Sequence, residues 1–231
     1  MKYYELINTV YLVKDLPYDE TNRKIGQFIN KALLYDEDLK DWHKVNCYKF
    51  YVYNSLYPIE SGKIYKAGKT YVFRIRSLSK EFLAKIEKIL PVVTDDCIKI
   101  LSVQQRDIHQ RHIIGLRTIT PAIATIDGNY WRQRHDVLKL IEQIQLNLLK
   151  KYKSYYGEDL IINNNFIKYI EFDNHTPIAL KYKDMTLIGN KFHLIINNDA
   201  VSQKLAFIAL AAGILEKNSS NGMGFCLPIY A

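Results

Sequence analysis

The chain has 231 residues, 48% hydrophobic and 24% charged, a globular composition at a length that suits one large domain or two small ones. Its 32 Lys and Arg exceed its 24 Asp and Glu, giving a net charge of +8, and such a surplus favours a polyanionic partner without choosing between nucleic acid and a membrane surface. The longest apolar run, Leu205 to Leu215, is far short of the ~20 residues that span a bilayer, which argues against a transmembrane helix. Glu5 and Asn8 interrupt what would be a signal core, so the cytoplasm is the expected location and no membrane partner is expected. Cys47, Cys97 and Cys226 are odd in number and far apart; they predict neither a disulfide framework nor a thiolate zinc site, only buried or half-buried thiols.

Taken in chain order, residues 2 to 14 alternate and are rich in Tyr, Ile and Val, as a strand requires. Thr21 to Leu34 then places Ile25, Phe28, Ile29, Ala32 and Leu33 on one helical face. Tyr48 to Tyr57 and Ile64 to Arg76 read as strands joined by a turn at Pro58 and Gly62, Ser79 caps a helix that Pro91 stops, and Cys97 to Val103 closes the unit. The order repeats in the second half. A strand runs from Ile113 to Ile126, and a long helix starts at Asp136 with Val137, Ile141, Ile144, Leu148 and Tyr152 as its buried stripe. Lys150, Lys151 and Lys153 suit the C-terminus of that helix. Phe166 to Phe172 and Ile178 to Ile196 supply two or three strands, Val201 to Ala212 a nearly all-apolar helix, and Gly224 to Tyr230 a last strand. The predicted fold is therefore α+β: two tandem ferredoxin-like, RRM-like βαββαβ domains with antiparallel sheets, residues 1–111 and 112–231. That fold hosts enzymes, metal carriers and RNA-recognition modules alike, so function rests on the site residues.

The most distinctive segment is Gly213-Ile-Leu-Glu-Lys-Asn-Ser-Ser-Asn-Gly-Met-Gly224, which joins the apolar helix to the last strand. Gly213, Gly222 and Gly224 permit φ > 0 and close approach, Asn218, Ser219 and Ser220 offer short donors, and Lys217 adds a positive charge: the ingredients of an oxyanion cradle. On the residues alone, a helix end followed by a polar connector fits equally well. The order is not that of a Walker A loop, and no Gly-x-Gly-x-x-Gly occurs. No cofactor and no metal site is expected.

Placed where it is, this segment resembles the glycine-rich signature of the CRISPR-associated repeat-processing endoribonucleases of the repeat-associated mysterious protein superfamily. Two departures are visible: a further family Gly falls on Leu215, and Asn221 is one added residue. Thr118-Ile-Thr-Pro-Ala122 is similar to the family's Leu-Ser-Pro segment, and His43 to Ser55 is similar to its His-(x)5-Lys-Phe-Thr-x-Ser stretch. The resemblance implies His43 and Lys49 as catalytic residues. A family Tyr falls on Asn30, leaving Asn30 and Tyr35 as candidates for catalytic support. It implies cleavage of CRISPR precursor RNA within repeats by 2′-hydroxyl attack, without metal, with CRISPR repeat RNA as partner. A catalytically inactive RNA-binding subunit is the alternative, while other subunits of a CRISPR interference complex, and a second copy in a homodimer, remain open as partners. Gly213, Lys217, Asn218, Ser219, Ser220, Gly222 and Gly224 would bind RNA. Arg132, Arg134 and Lys139 form a basic cluster beside Tyr130 and Trp131; it serves as well for RNA and base stacking as for a solvated helix end. Arg23 and Lys24 read chiefly as a charged outer helix face. His109, His112, His135, His175 and His193 carry no assigned chemistry.

Overall fold

A computed structural model describes residues 1–182 and 185–231. Lys183 and Asp184, within the expected 178–196 strand region, lie outside the described residues. The first half contains β1 (Lys2–Leu12), α1 (Tyr18–Leu33), α2 (Glu37–Lys44), β2 (Tyr51–Tyr53), β3 (Thr70–Ser77), α3 (Lys80–Ile89) and β4 (Ile98–His109). These four strands form one antiparallel sheet in the order β2-β3-β1-β4, and Leu16–Pro17 pairs with Ile64–Tyr65 in a small separate ladder. Apolar residues of α1 and α3, among them Phe28, Ile29, Leu83 and Ile86, are buried in one core with Leu6, Val10 and Phe73 of the sheet. The Ser79 hydroxyl accepts from the Phe82 amide at 3.1 Å, as a helix N-cap should.

The second half follows with β5 (Ile113–Thr118), α4 (Val137–Tyr156), β6 (Ile167–Phe172), β7 (Ile178–Tyr182), β8 (Met185–Asn190), β9 (Phe192–Ile196), α5 (Ala200–Ala212), the short α6 (Asn218–Asn221) and β10 (Cys226–Tyr230). Its main sheet has the order β6-β9-β5-β10, the same permutation as the first, so both halves carry ferredoxin-like topology. A side hairpin, β7 and β8, pairs with Ala122–Ile123.

Three expectations are corrected. The single strand from Ile113 to Ile126 is broken, because Pro121 cannot donate to a ladder; the chain turns there and resumes at Ala122, then closes a tight hairpin over Asp127 (φ 51°) and Gly128 (φ 77°). The α4 stripe is Leu140, Ile144, Leu148 and Tyr152, with Val137 and Ile141 only half-buried, and Lys151 is 2% exposed instead of solvated. Cys97 and Cys226 are buried, but Cys47 is exposed.

The halves are pinned together. Arg76 on β3, 3% exposed, donates to Glu5 Oε2 and to the Cys226 carbonyl, both at 2.6 Å, and lies over the Phe225 ring. From Leu205 to Ala212, α5 is apolar on every side because it is buried on every side; its Phe207 meets Tyr3 of β1 at 5.2 Å between ring centroids. Among the described residues no helix is long and apolar enough to cross a membrane.

Candidate nucleic-acid cleft

The first wall is built by α1, α2 and the turn into β2. Asp36 caps α2 by accepting from the Leu39 amide at 3.0 Å. Trp42 fixes the helix against the sheet by packing on Phe82 at 5.3 Å and Tyr51 at 6.3 Å. His43 therefore sits in the last turn of an anchored helix. Lys49 folds back over that end: its ammonium lies 4.5 Å from the centre of the Trp42 ring and donates to the Val45 carbonyl at 2.8 Å and to the Trp42 carbonyl. Burial, and then the charge of Lys49, hold the His43 imidazole below its ordinary value of 6.5. At neutral pH the ring is a free base.

The opposite wall is the glycine-rich loop. Gly213 (φ 76°) ends α5, and the chain then passes through left-handed backbone at Leu215 (φ 58°) and Lys217 (φ 60°) before Gly222 and Gly224. Leu215, where the family pattern has Gly, thus keeps the glycine-like backbone and adds a side chain that is 2% exposed. Beneath the loop, Lys151 Nζ donates to the Gly213 carbonyl at 2.8 Å, the Leu215 carbonyl at 3.1 Å and Asn218 Oδ1 at 2.7 Å. The Asn218 amide donates in turn to the Ile214 and Met223 carbonyls. This corrects the role expected for Asn218: its side chain is used up within the loop and offers no donor to a ligand. Thr120 braces the other end, donating to the Gly222 carbonyl at 2.7 Å and accepting from the Phe225 amide at 2.9 Å. The glycines also differ in purpose from a phosphate cradle. A Cβ on Gly222 would lie 2.6 Å from the Tyr53 carbonyl, and one on Gly224 would collide with the Ile214 carbonyl; they let the loop close on itself and on the first half. Asn22 of α1 completes that contact by donating to the Asn221 carbonyl at 3.3 Å.

Between the two walls lies a cleft of about 600 Å³. It gathers Asn30, His43 and Lys49 from one side, and Ser219, Ser220 and Asn221 from the other. Arg23, read from sequence chiefly as a helix-surface charge, also lines it; its guanidinium donates to Glu20 Oε2 at 3.3 Å, and its buried Nε has no partner among the described residues. Lys24, its neighbour, pairs with Asp95 and Asp96 and does not line the cleft. A second cavity of about 400 Å³ adjoins the first across Lys49, Ser219 and Ser220, and Lys217 and Asn218 line it. The remaining candidates are elsewhere. Tyr35 is exposed beyond the end of α1 and lines neither space. Arg132 and Arg134 are exposed, Lys139 pairs with Glu142 at 2.7 Å, and none of the three reaches the cleft. Their aromatic neighbours are not free stacking faces: Trp131 is buried on Phe172, and Tyr130 donates to Asn190 Oδ1. Among the described residues no group of His, Cys, Asp and Glu is arranged to hold a metal.

Two ferredoxin-like domains with a glycine-rich helix-to-strand loop facing a His- and Lys-bearing wall define a tandem ferredoxin-like protein with a cationic interdomain cleft. Residues 103–227 match the family model described as CRISPR associated protein Cas6, C-terminal, and the chain belongs to that family. It is 22% identical over 234 residues to a protein of Methanocaldococcus jannaschii named CRISPR-associated endoribonuclease Cas6 2, covering 94% of this chain and 95% of the relative. Its fold is similar to a solved structure titled CRISPR associated protein Cas6, with a TM-score of 0.75 at 18% identity over 98% of this chain and 99% of the other. It is also similar to one titled An RAMP protein binding different RNA substrates, with a TM-score of 0.73 at 14% identity over the same shares.

Proposed function

We propose that the chain is a metal-independent endoribonuclease that cleaves CRISPR precursor RNA within its repeats. The observation that carries this reading is that His43 and Lys49, from the first half, line one cleft with Ser219 and Ser220 of the glycine-rich loop from the second. RNA brings its own nucleophile, so the protein has only to hold the 2′-hydroxyl in line with the scissile phosphate, move protons and meet developing charge. A neutral His43 can take the 2′ proton, and its protonated form can deliver one to the 5′ leaving oxygen. The Lys49 ammonium stabilises the phosphorane-like transition state, and Arg23 adds a second cation. The loop seats the phosphate. Products carry 2′,3′-cyclic phosphate and 5′-hydroxyl ends. In this account residues 1–111 supply the chemistry and 112–231 the loop.

One residue favours a second reading, a repeat-binding subunit that does not cut: Asn30 stands where the family pattern has Tyr, and an amide cannot donate or accept a proton as a phenol does. The two are separated by incubating end-labelled repeat RNA with the protein in excess EDTA and resolving the product ends. Cleavage to cyclic-phosphate ends supports the nuclease; binding without cleavage supports the subunit. Cleavage only on addition of magnesium overturns the proposed mechanism.

A further inference from the structure

The smaller cavity has a composition unlike the cleft it adjoins. We propose that it is a nucleobase pocket, which takes the unpaired base of a nucleotide next to the cleaved phosphate; this rests on the RNA-cleaving reading above. Its volume of about 400 Å³ is in the range of small-ligand sites. Lys49, Ser219 and Ser220 line both spaces, so a phosphate seated on that shared wall has one neighbouring nucleotide directed to each side.

The lining chemistry selects a neutral, flat, hydrogen-bonding ligand over a second phosphate. On one side are Tyr48, 36% exposed, and Phe50, their rings 6.0 Å apart. Phe50 is held with left-handed backbone (φ 50°) by the Ser77 hydroxyl and the Leu78 amide, which both donate to its carbonyl, and its ring meets Tyr155 edge-on at 5.0 Å. Unpaired bases are read by stacking on such faces. On the other side Asn147 of α4 lines the cavity with a buried Oδ1 that has no partner among the described residues. A buried acceptor left unpaired is costly, and a turn of this amide into the cavity would bring it to the N–H that the Watson–Crick edge of every base carries. Apart from Lys49 on the shared wall, the cations lining this space are engaged within the protein. Lys151 serves three acceptors, and Lys217 lies over the Tyr182 ring at 5.3 Å. Glu216, also in the lining, repels an anion.

The test uses the repeat RNA that the protein cleaves, made uncleavable by a 2′-deoxy sugar at the cut, with each flanking nucleotide in turn replaced by an abasic one. Affinity is measured for the wild-type protein and for Asn147→Ala and Tyr48→Ala, two variants so that a folding defect in one leaves the other informative. One flanking abasic position should weaken wild-type binding about tenfold, and that loss should shrink to about twofold or less in both variants. The pocket is overturned if no flanking abasic position costs affinity while the intact RNA is bound and its ribose form cut, or if the loss is undiminished in a folded variant. Intact RNA that is neither bound nor cut overturns the RNA-cleaving reading as well.

Discussion

Lys151 is a buried cation whose three partners, two carbonyls and an amide oxygen, are all neutral acceptors. Only an ammonium has three donors, so the observed geometry is that of the charged form. Burial nevertheless pulls its pKa from 10.5 down to about 7, with Cys226 and Glu216 acting weakly in the other direction. The unfolded chain thus binds more protons than the folded one between about pH 7 and 10.5. Stability should rise with pH through that window, reach its full value above it and lose this contribution below about 7. Lys151→Met should flatten this slope in urea unfolding measured across pH, and cost roughly 3 kcal/mol at neutrality, since it orphans three acceptors. His43 makes the second prediction at this scale. Its pKa is lowered first by burial and then by Lys49, so as a base it should give the cleavage rate an acid limb below 6.5. Removing the cation in Lys49→Met should shift that limb towards higher pH in whatever activity remains, a result read from single-turnover rates against pH.

The glycine-rich element owes its shape to partners far away in sequence. Thr120 reaches Gly222 across 102 residues, and Lys151 reaches Leu215 across 64. Gly222→Ala should therefore act as a packing lesion: left-handed backbone and contact with Tyr53 together cost about 2 kcal/mol or more, visible as a lower unfolding midpoint without RNA. The difference in origin explains what the sequence could disclose. The loop is a short-range pattern readable in the sequence, as were the Ser79 cap and the repeated strand-helix order, while His43 and Lys49 were found through the resemblance of their stretch to a family motif. Lys151 was not: three basic residues at a helix end look alike until the turn of the helix puts one of them inward. Arg23 could be placed on the cleft or on an outer face, but not assigned to one, for the same reason, since which side of α1 meets the cleft depends on how the second half docks. The Asp127-Gly128 dipeptide was a legible hairpin signal, outweighed by the apolar run that surrounds it.

Across the whole molecule, the cleft exists because two similar domains are locked in one arrangement, and Arg76, held by Glu5 of its own sheet, is a central pin through its bond to the Cys226 carbonyl. Arg76→Met leaves the buried Glu5 with only the distant Arg74, at 3.9 Å, as a partner and should cost about 3 kcal/mol in denaturant unfolding, whereas Arg76→Met with Glu5→Gln should recover part of that loss. The proposed function divides labour across the cleft: chemistry on the wall of His43 and Lys49, grip on the loop. Its most direct test is to measure, for His43→Ala beside wild type, both the single-turnover cleavage rate and the affinity for uncleavable repeat RNA. The rate should fall by about 10²-fold or more while affinity stays within about threefold, well under one kcal/mol. Cleavage by the variant at the wild-type rate would contradict the account.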